Sequence, residues 1–424
     1  MDWFEARFSR RRLLAGAAGA TMSLAGAGSL ARLAGARAST LPTPAASGLD
    51  HVVVVMMENR SFDHLLGWLP GADGKQAGLT YPDRRGVLRP TYHLTDFQGC
   101  AHPDPDHSYE GGRAEFDDGR RDGWLEAGEN DRYAIGYYQR ADLPFFGRAA
   151  TAWTACDRYF APILGPTFPN RIYQHAGVTD RIYNTTTVCN LPTIWDRLTS
   201  AGRSGRYYYS DIPFTALWGP KYVGISASVD EFYADCAAGT LPNVAFVDPR
   251  FGGEEEGTSN DDHPHGDIRA GESFLNRVYD AVKASPAWPR TLLVVNFDEW
   301  GGFFDHVKPG LAPDVQPAFA RRGFRIPALL ISPFARRGVV AHGVYDHTSV
   351  LRLIEWRWGL KPLSRRDARA ANLAGALDFA SPDTAAPDFA VPDFVGTPCA
   401  APVPLEDDWS ELAARASANG FPIP

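Results

Sequence analysis

Nowhere in its 424 residues does the sequence set two cysteines in a C-x-x-C spacing. The five cysteines (Cys100, Cys156, Cys189, Cys236 and Cys399) lie far apart, which argues against a zinc ribbon and a redox dithiol. An odd number leaves at least one thiol unpaired in a monomer, and the pairing of the others stays open. Beyond residue 38 no apolar run approaches membrane-spanning length, so the mature chain carries no integral membrane segment. No repeat of solenoid length occurs. Positive charge is also short: 42 Lys+Arg face 50 Asp+Glu, a formal net charge of −8. That balance argues against nucleic acid as a partner and against a polybasic membrane patch, while phosphate-bearing substrates fit if positive charge is local.

What is present begins with an address. Residues 9–14 read SRRRLL, paired arginines ahead of an Ala/Gly-rich stretch that ends in Ala36-Arg37-Ala38. This is the layout of a twin-arginine export signal with an A-x-A cleavage site. The expectation is export by the twin-arginine machinery to an extracellular, periplasmic or cell-surface location. Cleavage after residue 38 removes six arginines and two acids and takes the charge from −8 to −12.

Apolar runs at 52–57, 206–210, 243–247, 291–297 and 328–332 read as strands, the first of them VVVVMM. Helical patterns at 269–282, 192–202 and 347–359 alternate with them. The expected fold class is α/β: a mostly parallel central sheet with helices on both faces. The expected organisation is a signal at 1–38, a catalytic domain at 39–377 with a long irregular insertion at 70–145, and a Pro-rich extended tail at 378–424.

Ligands of parallel sheets sit beyond the C-terminal strand ends. There the chain places Glu58-Asn59, Asp248 and Asp298-Glu299. If the strands before Glu58 and Asp298 are neighbours, three carboxylates and an amide converge, and like charges so close need a cation. Oxygen donors select a hard divalent ion, Ca²⁺, Mg²⁺ or Mn²⁺. The tight turn at Gly301-Gly302 would return Asp305 and His306 toward the same centre. The competing reading makes Glu58 and Glu299 ordinary ion-pair partners of Arg60 and other basic groups.

GPTFPNRIYQHAG (165–177) holds Thr167 between two prolines, with Arg171 four residues on. A fixed hydroxyl beside a metal is a nucleophile, and a guanidinium fork suits phosphate oxygens. The alternative is a proline-stiffened turn with a helix-capping threonine. His107, His263, His265 and His347 are available to protonate a leaving alkoxide.

Taken together, ENRSFDHLLG (58–67), GPTFPNR (165–171), DHP (262–264), DEWGGFFDHV (298–307) and DHTSVLRLIE (346–355) resemble the bacterial phosphoesterase family of phosphatidylcholine-hydrolysing phospholipases C and acid phosphatases. The resemblance implies an alkaline-phosphatase-like sandwich with one metal, held by Glu58, Asn59, Asp298 and Glu299 with the nucleophile Thr167 as a further ligand. It implies that His107 and His263 hold the phosphoryl group or protonate the leaving group, and His306 matches by motif. Threonine at the nucleophile position is similar to the phospholipase C branch, where the acid phosphatases carry serine. The chain is short for the group and has no clear counterpart of one further acid-phosphatase histidine. The expected activity is phospholipase C hydrolysis of phospholipid diesters through a phosphothreonine. The alternatives are a broad acid phosphatase and a metal-stabilised binding protein without turnover. Aromatic residues of the insertion (Trp124, Tyr133, Tyr137, Tyr138, Phe145, Phe146) either recognise choline through cation–π contacts or pack the insertion as a lid.

Overall fold

Six apolar residues in succession, Val52 to Met57, leave a strand no polar face to turn toward water, and the chain buries all six. The computed structural model describes residues 41–404 and 409–422, so the export signal lies outside the described residues. An eight-stranded sheet is built from β1 (His51–Met57), β2 (Thr154–Cys156), β3 (Gly205–Tyr209), β4 (Ser226–Ser228), β5 (Val244–Asp248), β6 (Thr291–Phe297), β7 (Ala328–Ile331) and β8 (Val339–Ala341). Their order is β8-β2-β7-β6-β1-β5-β3-β4. Only β7 runs antiparallel to its neighbours; the other pairs are parallel. The expected mixed α/β class is the one observed. The strands β2, β4 and β8 have three residues each, too few to give a periodic signal in the sequence.

The helices that matter are α1 (Phe62–Leu66), α2 (Tyr109–Phe116), α3 (Phe146–Ala152), α4 (Thr167–Ala176), α5 (Ile194–Ser200), α6 (Val229–Ala238), α7 (Ile268–Ala284) and α8 (His347–Trp358). Register assigns them to faces. Val54 pairs with both Phe246 and Val294, so these three side chains share one face. On it, the Phe246 ring packs 4.8 Å from Trp195 of α5 and 5.2 Å from His175 of α4. Phe297 has the opposite parity and packs 5.8 Å from Phe146 of α3. Both faces are therefore covered by helices.

α5 starts as its sequence dictates, with a Thr193/Asp196 capping box, and α8 closes on Gly359 at φ 65°. The segment after Pro166 is not the alternative proline-stiffened turn; it forms the ten-residue helix α4. Pro169 lies in its first turn, where a missing N–H breaks no helical bond. The insertion is less irregular than its composition: it holds α2 and a hairpin of strands Thr80–Pro82 and Leu88–Pro90. The six aromatic side chains weighed for choline recognition are all buried, Trp124 against Phe324 and Tyr133 against Phe303. They are packing, and they form no open choline cage. The tail is not extended throughout either. It ends in a helix, Ser410–Ala418, preceded by Trp409 stacked 4.1 Å from Phe251. A disulfide joins Cys100 of the insertion to Cys399 of the tail, and Cys156, Cys189 and Cys236 are buried thiols. No helix among the described residues is long and apolar enough to cross a membrane.

Candidate active site

Because β1 and β6 are adjacent, with Met57 opposite Phe297, the polar residues that follow them leave the sheet side by side. Asn59 takes a left-handed conformation, φ 54°, which asparagine tolerates better than most residues. Its N–H donates to Asp298 Oδ1 at 3.0 Å, and the Glu299 N–H donates to the same oxygen at 2.6 Å. The other oxygen, Asp298 Oδ2, is buried and has no hydrogen-bond partner among the described residues. Helix α4 brings Thr167 in its first turn, with Oγ1 3.2 Å from Glu58 Oε2 and 3.4 Å from Asn59 Oδ1. The Asn59 amide donates to His107 Nε2 at 3.2 Å, which leaves its Oδ1 for the Thr167 side. Glu58, Asn59, His107, Thr167, Asp298 and Glu299 are all fully buried.

The Arg171 fork, expected to meet phosphate, bonds carboxylates here. One turn after Thr167 on α4, its Nε donates to Glu58 Oε1 at 2.6 Å, its Nη2 to the Met56 carbonyl at 3.3 Å, and its Nη1 lies 3.2 Å from Asp248 Oδ2. Phe251 covers the guanidinium at 4.6 Å. Burial opposes this charge, yet Glu58 and Asp248 outweigh burial and hold the Arg171 pKa above its ordinary value. The fork is committed to two carboxylates, so Arg171 orients Glu58. It also answers part of the ion-pair reading: Glu58 does have a basic partner, and that partner is not Arg60, which donates to the Asp262 carbonyl.

The pairing is incomplete. Glu58, Asp248 and Asp298 are buried carboxylates whose charge acts on the Arg171 guanidinium, and Asp298 Oδ2 has no donor among the described residues. Asp248 titrates above the usual carboxylate range because burial outweighs Arg171. Thr167 Oγ1 lies within 3.4 Å of one oxygen each of Glu58 and Asn59, and Asp298 adds an unmatched carboxylate oxygen; such oxygen donors fit a hard divalent cation. Glu299 is brought here through its backbone, while its Oε2 accepts the Gly301 N–H at 2.8 Å.

Two histidines flank this set. His107 precedes α2, and its Nδ1–H donates to the Pro105 carbonyl at 2.8 Å; His263 Nδ1–H donates to the Pro264 carbonyl. Both rings therefore present Nε2 to the site. Their centroids are 5.7 Å apart. Asp104, which the sequence reading passed over, lies 4.0 Å from His263 Nε2, and its carboxylate is buried without a hydrogen-bond partner among the described residues. Asp104, His107 and His263 offer ligand atoms within 4.8 Å of one another. The DPDH spacing carries the signal: Asp106, though it adjoins the histidine, accepts the Ser108 N–H instead. His347 Nε2 bonds the Asp298 carbonyl at 2.8 Å, and burial pushes its pKa down to about 3.

His306 and Asp305 do not return to this centre. His306 Nδ1 donates to Asp63 at 2.5 Å and its Nε2 lies 3.2 Å from Asp73; Asp305 is paired with Arg325. Gly301 and Gly302, at φ 63° and 67°, make the expected turn, but it carries the chain on to a second cluster.

The Phosphoesterase family profile matches residues 49–361, so the chain belongs to that family and is a hydrolase acting on phosphoric ester bonds. Among curated proteins it is 30% identical to Phospholipase C B of Mycobacterium tuberculosis over 463 residues, covering 89% of this chain and 86% of that one. It is 29% identical to Non-specific phospholipase C3 of Arabidopsis thaliana, covering 80% and 75%. It is 30% identical to Non-hemolytic phospholipase C of Pseudomonas aeruginosa, covering 79% of this chain and 58% of that longer protein. A solved protein of the alkaline phosphatase superfamily from Vibrio parahaemolyticus, 13% identical with a TM-score of 0.37 over 76% of this chain and 72% of that one, is too loose a likeness to argue from.

Proposed function

We propose that this protein is an exported, metal-dependent phospholipase C that cleaves phosphatidylcholine-type phosphodiesters on the glycerol side through a phosphothreonine on Thr167. The observation that carries the reading is Thr167 Oγ1 within 3.4 Å of two oxygen donors, in the first turn of a helix and beside an unmatched carboxylate oxygen. Glu58, Asn59, Asp298 and Thr167 would hold the divalent ion, with Glu299 alongside; when bound it lowers the hydroxyl pKa and neutralises phosphate charge. The positive end of α4 favours an anion in the same place. Thr167 Oγ forms the bond to phosphorus as the glycerol oxygen leaves in line. His107 or His263, entering the step as the imidazolium with its second proton on Nε2, gives that oxygen a proton, and the Thr167 hydroxyl proton passes to water. Water then attacks the phosphothreonine and returns a proton to the same ring, releasing the phosphorylated head group. Arg171 keeps Glu58 in place throughout. The names of the relatives support a lipid diester over a phosphomonoester.

The test is Thr167→Ala assayed on p-nitrophenyl phosphorylcholine and p-nitrophenyl phosphate, with metal content measured on the same sample. The expected result is loss of diester turnover by about a thousandfold or more with the fold intact. Full activity in the variant would remove Thr167 from the mechanism, and a wild type that strongly prefers the monoester would make the protein an acid phosphatase.

A further inference from the structure

An acidic protein argues against a broad basic face, yet one corner of the insertion concentrates arginine. Beside the Thr80–Pro90 hairpin lies an open cavity of about 510 Å³ lined by Arg84, Arg85, Arg89 and Arg132 with Tyr92 and Leu125. Its two acids are already engaged. Asp83 accepts Arg89 and the backbone N–H groups of Arg85 and Val87, and Asp131 is paired with His102. Arg84 donates to the neutral carbonyls of Ala127 and Gly128, and Arg132 lies over the Tyr92 ring at 3.8 Å. Neither makes an ion pair among the described residues, and Arg85 makes none either. Three guanidinium charges thus face one cleft without a carboxylate of their own, a strong call for an anion.

The hairpin tip adds a second requirement. Val87 and Leu88 stand 47% and 63% exposed between Arg85 and Arg89. They are not a floppy end. The turn is closed by Gly86 N–H to the Asp83 carbonyl at 2.7 Å and by Asp83 N–H to the Val87 carbonyl at 2.9 Å. The hairpin base is anchored by buried Tyr81 against Trp124 and Phe304. A rigid tip that offers aliphatic side chains to water, framed by arginines, matches a surface with anionic groups outside and an apolar layer beneath.

We propose that this hairpin and its arginine cleft are a docking site for a bilayer containing anionic phospholipid. The arginines engage lipid phosphates and Val87 and Leu88 enter the acyl boundary. The inference rests on the phospholipase reading only for the choice of a bilayer over other anionic surfaces. Docking there would hold the insertion, and with it His107, at the membrane plane.

The test is sedimentation of the purified protein with vesicles of phosphatidylcholine alone or with phosphatidylglycerol added, run beside turnover of soluble p-nitrophenyl phosphorylcholine. Wild type should bind the anionic vesicles far more strongly, and added salt should release it. Arg85→Glu should weaken that binding by about tenfold or more, since each basic group near an anionic surface is worth ~1 kcal/mol. Leu88→Ser should weaken it several-fold at unchanged charge. Both variants should keep soluble turnover, because neither residue touches the Thr167 site. Equal wild-type binding to neutral and anionic vesicles overturns the proposal, as does wild-type binding by both variants. Sensitivity to Arg85→Glu with none to Leu88→Ser overturns insertion and reduces the site to an electrostatic contact with the bilayer surface. Vesicle binding without soluble turnover would instead count against the phospholipase reading and leave the docking site standing.

Discussion

The residues that follow β1 and β6 supply two buried acidic clusters, and the chain completes the charge of one but not of the other. In the cluster of Asp63 and Asp305, Arg325 donates to both carboxylates, at 3.0 Å and 2.9 Å. The remaining positions are filled by the backbone N–H groups of Asp63, Lys75, His306 and Val307 and by the His306 ring. In the cluster of Glu58 and Asp298, Arg171 reaches Glu58, while Asp298 Oδ2 receives nothing from the described residues. Residue type does not separate the two, since each pairs an acid that follows β1 with an acid that follows β6 and adds a buried arginine. The supply of donors does. A cluster whose counter-charge is part of the chain braces the fold, and one left short is built for something that arrives from outside.

That contrast can be broken in order of effect. Asp298→Asn should lower hydrolysis by about a hundredfold or more and reduce bound metal measured by elemental analysis, with little change in unfolding. Near-normal activity would mean that the unmatched oxygen has no ligand to hold. Arg325→Met should do the reverse. Removing one partner of a buried pair costs about 3–5 kcal/mol, read as a lower urea midpoint, while the protein that remains folded keeps its turnover. Unchanged stability would erase the distinction between the clusters. The smallest effect is in pH dependence. Burial lowers the His306 pKa, but the Asp63 carboxylate outweighs it and holds the ring above its ordinary value. A raised folded pKa makes the stabilisation full below about 6.5 and lost as pH rises through the folded value. His306→Gln should therefore flatten the decline of the urea midpoint above about pH 6.5. A decline as steep as in the wild type would show that His306 does not set it.

The central fold was legible because β1, β5 and β6 are continuous apolar runs long enough to register, and because Thr193 and Gly359 punctuate their helices. The convergence of Glu58, Asn59, Thr167 and Asp298 was legible because adjacent strands release their next residues together. Three-residue strands and the Ser410–Ala418 helix carried no comparable pattern. The site residues that escaped did so for a common reason. Whether Arg171 faces phosphate or Glu58, whether Asp305 turns back or goes on, and that Asp104 rather than Asp106 nears His263 all depend on side-chain direction at a loop or helix end. Sequence spacing limits the reach of such groups and leaves their aim to packing.

Cys100 and Cys399 are 299 positions apart and covalently joined, so most of the chain lies within one closed ring. A protease that cuts once inside that ring opens it without parting the pieces. The nicked molecule would run as two bands only after reduction, and cleavage of an exposed loop remote from Thr167 would leave a working enzyme in two tethered halves.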